Sequence, residues 1–345
     1  MSFRHSRFRN SFIAGALCAA AVFGIPTASH AQPVEKINFM EVIHSLFYAP
    51  LYAATGLGYF KDEGIDFDLV AAQGSDKATA ALLNGAADIV LAGPETAVYI
   101  ETGQSPDKIR IFAGLTATDG SFLVGRSKQD GFSWKDLKGK TILGWRKGSA
   151  PAIFLDKVLK DNGLDPDKDV TVITNVAIPA RMGAFMSGTG DYATFFEPDV
   201  TKIEVAGKGV SLANVGKAAG QIDYTVFTAK ESTIKARPKV IQGFTNAIAR
   251  AETWLQTVSA DEAATVLAPF FPGVPAIELA KSITRQRESG VWKTSPLVTA
   301  EAMGALQDLL IASSVLDAGK KVSYERLVDP SFAKAVKAET KGAAK

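Results

Sequence analysis

Between residues 36 and 103 the chain repeats one unit three times: a short apolar strand pattern, a loop, and the opening of a helix. "KINFMEVI" (36–43) leads through a loop at 44–49 into a helix opening at Tyr48-Ala49-Pro50, since proline is tolerated in a first turn, with Gly64 expected to close it. "IDFDLVA" (65–71) alternates apolar and acidic residues, the period of a half-buried strand, and runs through Gly74-Ser75-Asp76 into a helix that stops at Gly85. "ADIVLAG" (87–93) is a buried-strand pattern followed at once by Pro94 and Glu95, which open a third helix. Such a chain folds as α/β with open, mostly parallel sheets. Ligands of these sheets lie beyond the carboxyl ends of the strands, where helix N-termini also point. The loops at 44–49, 73–76 and 93–95 are therefore expected to share one face.

A further strand pattern follows at "IRIFAGL" (109–115), and a second unit begins near Gly120. Its strand patterns are "SFLVGRS" (121–127), "KTILGWRKGS" (140–149), "DVTVITNV" (169–176) and "DYATFFEPDV" (191–200). "PAIFLDKVLKDNGLDP" (151–166) reads as an amphipathic helix with a glycine stop, and "IPARMGAFMSGTG" (178–190) as a short helix. "QIDYTVFTAK" (221–230) has the look of a return strand, and from Thr233 onward the pattern is mostly helical. No low-complexity linker separates the units, so the chain is expected to cross between two domains more than once.

The N-terminus reads as an export signal. Arg4, Arg7 and Arg9 precede an apolar run from Phe12 to Gly24, and Pro26 with Ser29-His30-Ala31 suits a cleavage site before Gln32. The run is too short for a stable membrane span, and Leu17 before the only cysteine, Cys18, fits a lipoprotein signal poorly. Removing residues 1–31 takes away three arginines and no acid, leaving 35 basic against 36 acidic residues, so the formal net charge falls from +2 to −1. The basic character belonged to the leader, and a nucleic-acid partner has no electrostatic support. The mature chain is expected to be periplasmic. It holds no cysteine and one histidine, His44, which excludes disulfides, thiolate catalysis and Cys- or His-rich metal sites; no metal or cofactor is expected.

Several stretches together, "YAPLYAATGLGYFKDEGIDFDLV", "GSDKATAALLNGAADIVLAGPETA", "DLKGKTILGWRKGS" and "YATFFEPDVTKIEVAGKG", resemble periplasmic solute-binding proteins of the nitrate/sulfonate/taurine type, a family that includes thiamine-pyrimidine-precursor binders. "RQRESGVWKTSP" and "VSYERLVDPSFA" extend the resemblance over nearly all of the mature chain. It implies a type II periplasmic binding fold: lobe I from 32–118 and 222–345, lobe II from 119–221, two hinge crossovers, and a ligand cleft between the lobes. It implies a monomeric receptor that hands a small organic anion or polar heteroaromatic solute to an ABC permease and its ATPase. Two other readings are an enzyme akin to fungal pyrimidine-precursor synthases, which carry a cysteine-rich motif missing here, and a subunit that presents ligand to a sensor.

The candidate site residues follow from the loops and the resemblance. His44 beside Ser45 suggests nucleophilic catalysis, but adjacent residues in an extended chain point to opposite faces, and no G-x-S-x-G pattern is present. Ligand contact suits the pair better, and His44 is the mature chain's one group whose ordinary titration would make binding depend on pH between about 5 and 8. Phe47 and Tyr48 either stack on a planar ligand or pack into the core. Gly74 and Ser75 offer backbone N–H groups at a helix start, with Asp76 expected to turn into its own helix end. Gly93 and Pro94 have the same logic, and Glu95 is either a ligand contact or a first-turn acid. Thr118 lies at the expected crossover. In the second lobe Trp145 and Arg146 precede Gly148, Ser149 and Ala150, where the resemblance implies that ligand polar groups are held. Arg146 either pairs with a ligand anion or is a solvated surface cation. Ile178 is expected to line the cleft, and Glu197, before Pro198, either accepts from a ligand N–H or braces lobe II.

Overall fold

The computed structural model describes residues 34–336. The expected leader, its cleavage site and Cys18 lie outside them. Ten strands form two five-stranded sheets. In chain order they are β1 (Phe39–Glu41), β2 (Val70–Ala71), β3 (Ile89–Ala92), β4 (Ile109–Thr116), β5 (Phe122–Gly125), β6 (Thr141–Leu143), β7 (Thr171–Ile173), β8 (Tyr192–Phe195), β9 (Val210–Asn214) and β10 (Thr225–Lys230). The first sheet has the order β2-β1-β3-β10-β4 and the second β9-β5-β8-β6-β7. We refer to each sheet with its helices as a lobe.

The first three strands of the first sheet are parallel, with Phe39 opposite Ile89 and Met40 opposite Val70. The late strand β10 inserts antiparallel between β3 and β4, Val226 pairing with Ala92 and Gly114. In the second sheet β6, β7 and β8 are parallel while β5 runs against both β8 and β9. Strand β9 escaped the sequence reading. "VSLAN" has no clean alternation because its pairing with β5 is interrupted by a register shift between Ser211 and Ala213, and all five residues are only half-buried. "IDFDLVA" also divides: Ile65–Asp66 pairs with Glu35–Lys36 in a separate two-stranded sheet, and only Val70–Ala71 joins β1.

The helices that matter for the site are α1 (Ala49–Gly56), α2 (Ser75–Asn84), α3 (Glu95–Thr102), α4 (Ala150–Asp161), α5 (Asp199–Val205), α6 (Pro238–Thr257), α7 (Ala260–Leu267) and α8 (Ala276–Glu288). The first ends at Gly56, and a separate turn of helix at Tyr59–Asp62 follows Gly58, whose φ of 77° breaks the run that the sequence reading extended to Gly64. Residues Ala49 to Ala54 are all buried because α1 is covered by α6 and α7. On α6 the apolar positions Val240, Ile241, Phe244, Ala247, Ile248, Ala251 and Leu255 recur every three or four residues and supply that cover. Pro238 stands in the first turn of α6, where its missing N–H costs nothing.

The chain passes from the first sheet to the second between Thr116 and Phe122, and returns between Asn214 and Thr225. Thr118 ties these two passages together, its Oγ1 donating to Gly220 O at 2.7 Å, with Gly216 O at 3.2 Å. An aromatic seam joins the lobes beside them: the Phe47 and Phe196 rings stack at 4.9 Å, and Tyr224 meets Phe47 at 5.4 Å and Phe154 at 5.0 Å. Phe47 lies so close to Gly120 that a Cβ there would collide with its ring, which is why that crossover position is glycine.

Candidate functional site

Each lobe ends its central strands at a loop that opens a helix, and these loops face each other. From the first lobe come 42–48 after β1, 73–77 opening α2, and 93–95 opening α3; from the second come 145–151 opening α4 and 174–181 after β7. They enclose a cavity of about 450 Å³, within the range of small-molecule sites. Tyr48, Trp145, Phe196 and Tyr224 supply aromatic wall, Ser75, Ser149, Thr174, Asn175 and Thr225 polar wall, and Lys77, Arg146 and Arg181 the cations; among the described residues no carboxylate lines it.

Of the residues singled out from sequence, Tyr48, Gly74, Ser75, Gly93, Trp145, Arg146, Ser149, Ala150 and Ile178 line this cavity. His44, Ser45 and Glu197 line a smaller neighbouring cavity of about 240 Å³, which shares Gln73, Trp145, Arg181 and Phe196 with the first. Glu95 and Gly148 line a third space at the cleft rim. Three positions are structural. Phe47 is fully buried in the seam, Thr118 is fully buried at the crossovers, and Pro94 is buried at the start of α3.

Arg146 is an exposed cation that lines the cavity and is paired across the cleft. Its guanidinium makes two hydrogen bonds to Asp76, Nη2–Oδ1 at 2.6 Å and Nη1–Oδ2 at 3.1 Å, so the opening turn of α2 is bridged to the loop before α4. Burial pushes the Asp76 carboxyl up, but the Arg146 contacts and the amides of its own helix start outweigh it and carry the group below the usual range. Asp76 therefore does turn into its helix end and spans the cleft as well. A second tie, Tyr99 Oη donating to Gly148 O at 3.3 Å, lies beside it.

The His44-Ser45 pair forms no nucleophile–base contact. Ser45 Oγ donates to Glu197 O at 2.7 Å and caps the following turn by accepting from Phe47 N at 3.3 Å. The His44 ring bonds elsewhere through both nitrogens, Nδ1 to Glu41 Oε1 at 2.9 Å and Nε2 to Phe270 O at 2.6 Å. Tyr52 Oη donates to the other Glu41 oxygen at 2.5 Å. The hydrogen bond to Glu41 raises the His44 pKa, against partial desolvation, and the Phe270 carbonyl adds to it. His44 thus anchors the end of β1 to the turn at 268–270, which no local pattern announces.

Glu197 braces the lobes. Its carboxylate accepts from Thr201 N and Oγ1 and from Ser282 Oγ, each at 3.1 Å, and from Arg285 Nη1 at 2.6 Å. Burial still raises its pKa against the pull of Arg285. Glu95 is also buried, with its carboxyl folded over Gly93, where any Cβ would collide with it. Desolvation raises its pKa to about 7, its own amide and the Ala150 amide at the start of α4 holding it back. Its Oε2 has no hydrogen-bond partner.

Sequence reasoning missed three cavity residues with charge or strain. Arg181 is 2% exposed, lies 3.9 Å over the Trp145 ring, and donates to Leu143 O at 3.1 Å, Thr194 O at 3.0 Å and Gly144 O. It makes no salt bridge among the described residues, although the Asp199 carboxylate acts on it from a distance; burial outweighs that and lowers its pKa to about 10, so it remains a cation under the cavity floor. Lys77, on the first turn of α2, has an ammonium with no partner among the described residues. Gln73 precedes Gly74 in a left-handed conformation at φ 62°. A cation at the third position of α2 gives Lys77 a weak signal, whereas nothing local marks Arg181 or Gln73.

Comparison with known proteins agrees with this architecture. A profile of the family described as NMT1, NMT1/THI5 like, matches residues 47–258. A protein of Bacillus subtilis (strain 168) described as putative binding protein YtlA is 35% identical over 328 residues, spanning 94% of this chain and 98% of that one. Among solved structures, the alkanesulfonate-binding protein SsuA from Xanthomonas axonopodis pv. citri, bound to MOPS, superposes with TM-score 0.70 at 19% identity, covering 87% of this chain and 99% of that one. The periplasmic nitrate-binding protein NrtA from Synechocystis PCC 6803 gives TM-score 0.70 at 15% identity, covering 88% of each. The desulfurization enzyme DSZB shares the fold too, with TM-score 0.61 at 15% identity over 87% of this chain and 98% of that one, so the fold alone does not separate binding from catalysis. Two α/β lobes around a cleft, with a family profile over most of the chain and a relative matched nearly end to end, place this protein in the NMT1/THI5-like family on the periplasmic-binding-protein fold.

Proposed function

We propose that this protein is a non-catalytic receptor that encloses a small organic anion with a planar or apolar body between its lobes and delivers it to an ABC-type importer. The observation that carries this reading is the charge of the main cavity. Once Arg146 is paired with Asp76, the lining keeps two cations that form no salt bridge among the described residues, Lys77 and Arg181, and no described carboxylate; Asp199, which acts on Arg181, lies on the neighbouring cavity instead. Aromatic faces on Tyr48, Trp145, Phe196 and Tyr224 suit a planar body, and contacts between the lobes on both sides of the cavity suit closure around a solute. Catalysis has no comparable support, because Ser45 and His44 are each bonded away from the other. The sulfonate- and nitrate-binding proteins of the same fold favour an anion, and the binding-protein name of the Bacillus subtilis relative favours reception.

The periplasmic location and the permease partner belong to this reading. Among the described residues no helix is long and apolar enough to cross a membrane, so delivery would require a separate membrane component. Thermal denaturation with a panel of aryl and alkyl carboxylates and sulfonates tests the proposal. One anionic class should raise the melting temperature in proportion to the logarithm of its concentration, with the uncharged amides of the same acids ineffective. Equal stabilisation by neutral and anionic members would overturn the anion reading.

A further inference from the structure

Gln73 is held in a backbone conformation that its side chain makes costly, and the fold makes no use of that side chain. Its φ of 62° lies in the left-handed region, where the described chain has one other non-glycine residue, Ser314, just past the helix at Ala300–Ala312. The turn around Gln73 is held by main-chain groups alone: the Gln73 and Gly74 amides both donate to Val42 O, at 2.9 and 3.2 Å. Glycine would satisfy that turn without the Cβ penalty. Gln73 nevertheless lines both the 450 Å³ cavity and the neighbouring 240 Å³ cavity and is only half-buried. Neither its oxygen nor its nitrogen has a partner among the described residues. Backbone strain kept at a cleft wall by a residue whose side chain is idle in the fold is the pattern expected of a functional position.

We propose that Gln73 is a specificity-determining residue that hydrogen-bonds an uncharged amide- or carbonyl-like group of the solute. A carboxamide presents an acceptor oxygen and two N–H donors in one plane, so it can pair reciprocally with a solute amide, donating to its carbonyl while accepting from its N–H. The solute class this defines is a planar anion with a neutral carbonyl or amide at a distance from the charged group. The anion answers to Lys77 and Arg181, and the neutral end to Gln73. The inference rests on the receptor reading above.

Calorimetric titration with benzoate and 4-carbamoylbenzoate, on wild type and Gln73→Gly, tests it. Wild type should bind 4-carbamoylbenzoate at least tenfold more tightly than benzoate. Q73G should lose that preference, keep its benzoate affinity within about twofold, and melt within about 2 °C of wild type or higher, because glycine relieves the turn. If Q73G weakens both probes equally, or melts well below wild type, Gln73 is a turn residue and the inference fails while the receptor reading stands. If wild type binds the two probes equally, the inference fails on its own. If wild type binds neither, the planar-anion reading falls and the inference with it.

Discussion

Replacing Arg285 by methionine should destabilise the protein by about 3–5 kcal/mol, the range for stripping the partner from a buried ion pair. The Glu197 carboxylate is fully buried, and Arg285 Nη1 at 2.6 Å is its only cation among the described residues. Thr201 and Ser282 hydrogen-bond it but carry no charge. Methionine fills much of the space of the arginine stem but leaves the buried Glu197 carboxyl without its cation, so that it either stays charged in a dry site or must take up a proton, and both cost stability. The same change frees Glu204 from its 2.7 Å contact with Arg285, but Lys281 Nζ at 3.0 Å remains beside it, so most of the loss arises at Glu197. Urea denaturation reads the change as a lower midpoint. Combining R285M with Glu197→Gln should recover part of the loss, since the stranded charge is then gone. A single-variant loss under about 1 kcal/mol would mean that the network contributes little. The consequence reaches beyond stability: Glu197 lies between β8 and α5, Arg285 on α8, and Ser45 and Leu46 both donate to the Glu197 carbonyl. The network therefore fixes the second lobe against the loop at 44–48 that borders the cavity.

The second large effect has the opposite sign. Glu95→Gln should stabilise the protein above neutral pH by about 3 kcal/mol and give almost nothing near pH 4.5. The folded-state pKa of Glu95 is raised from 4.5 to about 7, so the folded protein holds a proton that the unfolded chain releases between those values. Stability is therefore lost as pH rises from 4.5 to 7 and stays lost above it. A shift of roughly two and a half pH units corresponds to about 3 kcal/mol. Glutamine keeps the shape and cannot ionise, so the stability difference between variant and wild type should grow across that window. Tyr48, Tyr99 and Tyr224 surround the carboxyl, and no described cation pairs with it. Denaturation midpoints measured at pH 4.5, 6 and 8 decide the point; a pH-independent difference would show that burial of Glu95 is not what sets its cost.

How much of this was legible in the sequence depends on how far apart the interacting residues stand. The α/β class, the helix openings after β1, β2, β3 and β6, and the loops at 73–76, 93–95 and 145–150 were legible because glycine, proline and capping residues after an apolar run are local signals. The return strand β10 was legible for the same reason. What those loops do to one another was not. Asp76 and Arg146 lie 70 positions apart, and His44 and the Phe270 carbonyl 226 apart. Reading Arg146 as ligand-binding or solvated left out the third outcome, a partner on the facing lobe. Phe47 and Tyr48 carry the same apolar signal although one is wedged against Gly120 and the other borders the cavity. Only the packed fold distinguishes them. Gln73 was invisible for a different reason, since a left-handed φ on a residue next to a glycine leaves no trace in composition or period.

Native mass spectrometry of the protein purified from its own source reads out whether it receives an anion without chemistry. We expect one solute bound per chain, recovered after denaturation as an intact organic anion small enough for a cavity of about 450 Å³, and displaced by an added anion of the same class. Folded protein that carries no solute in any preparation, or that releases its solute chemically changed, would rule out such a receptor.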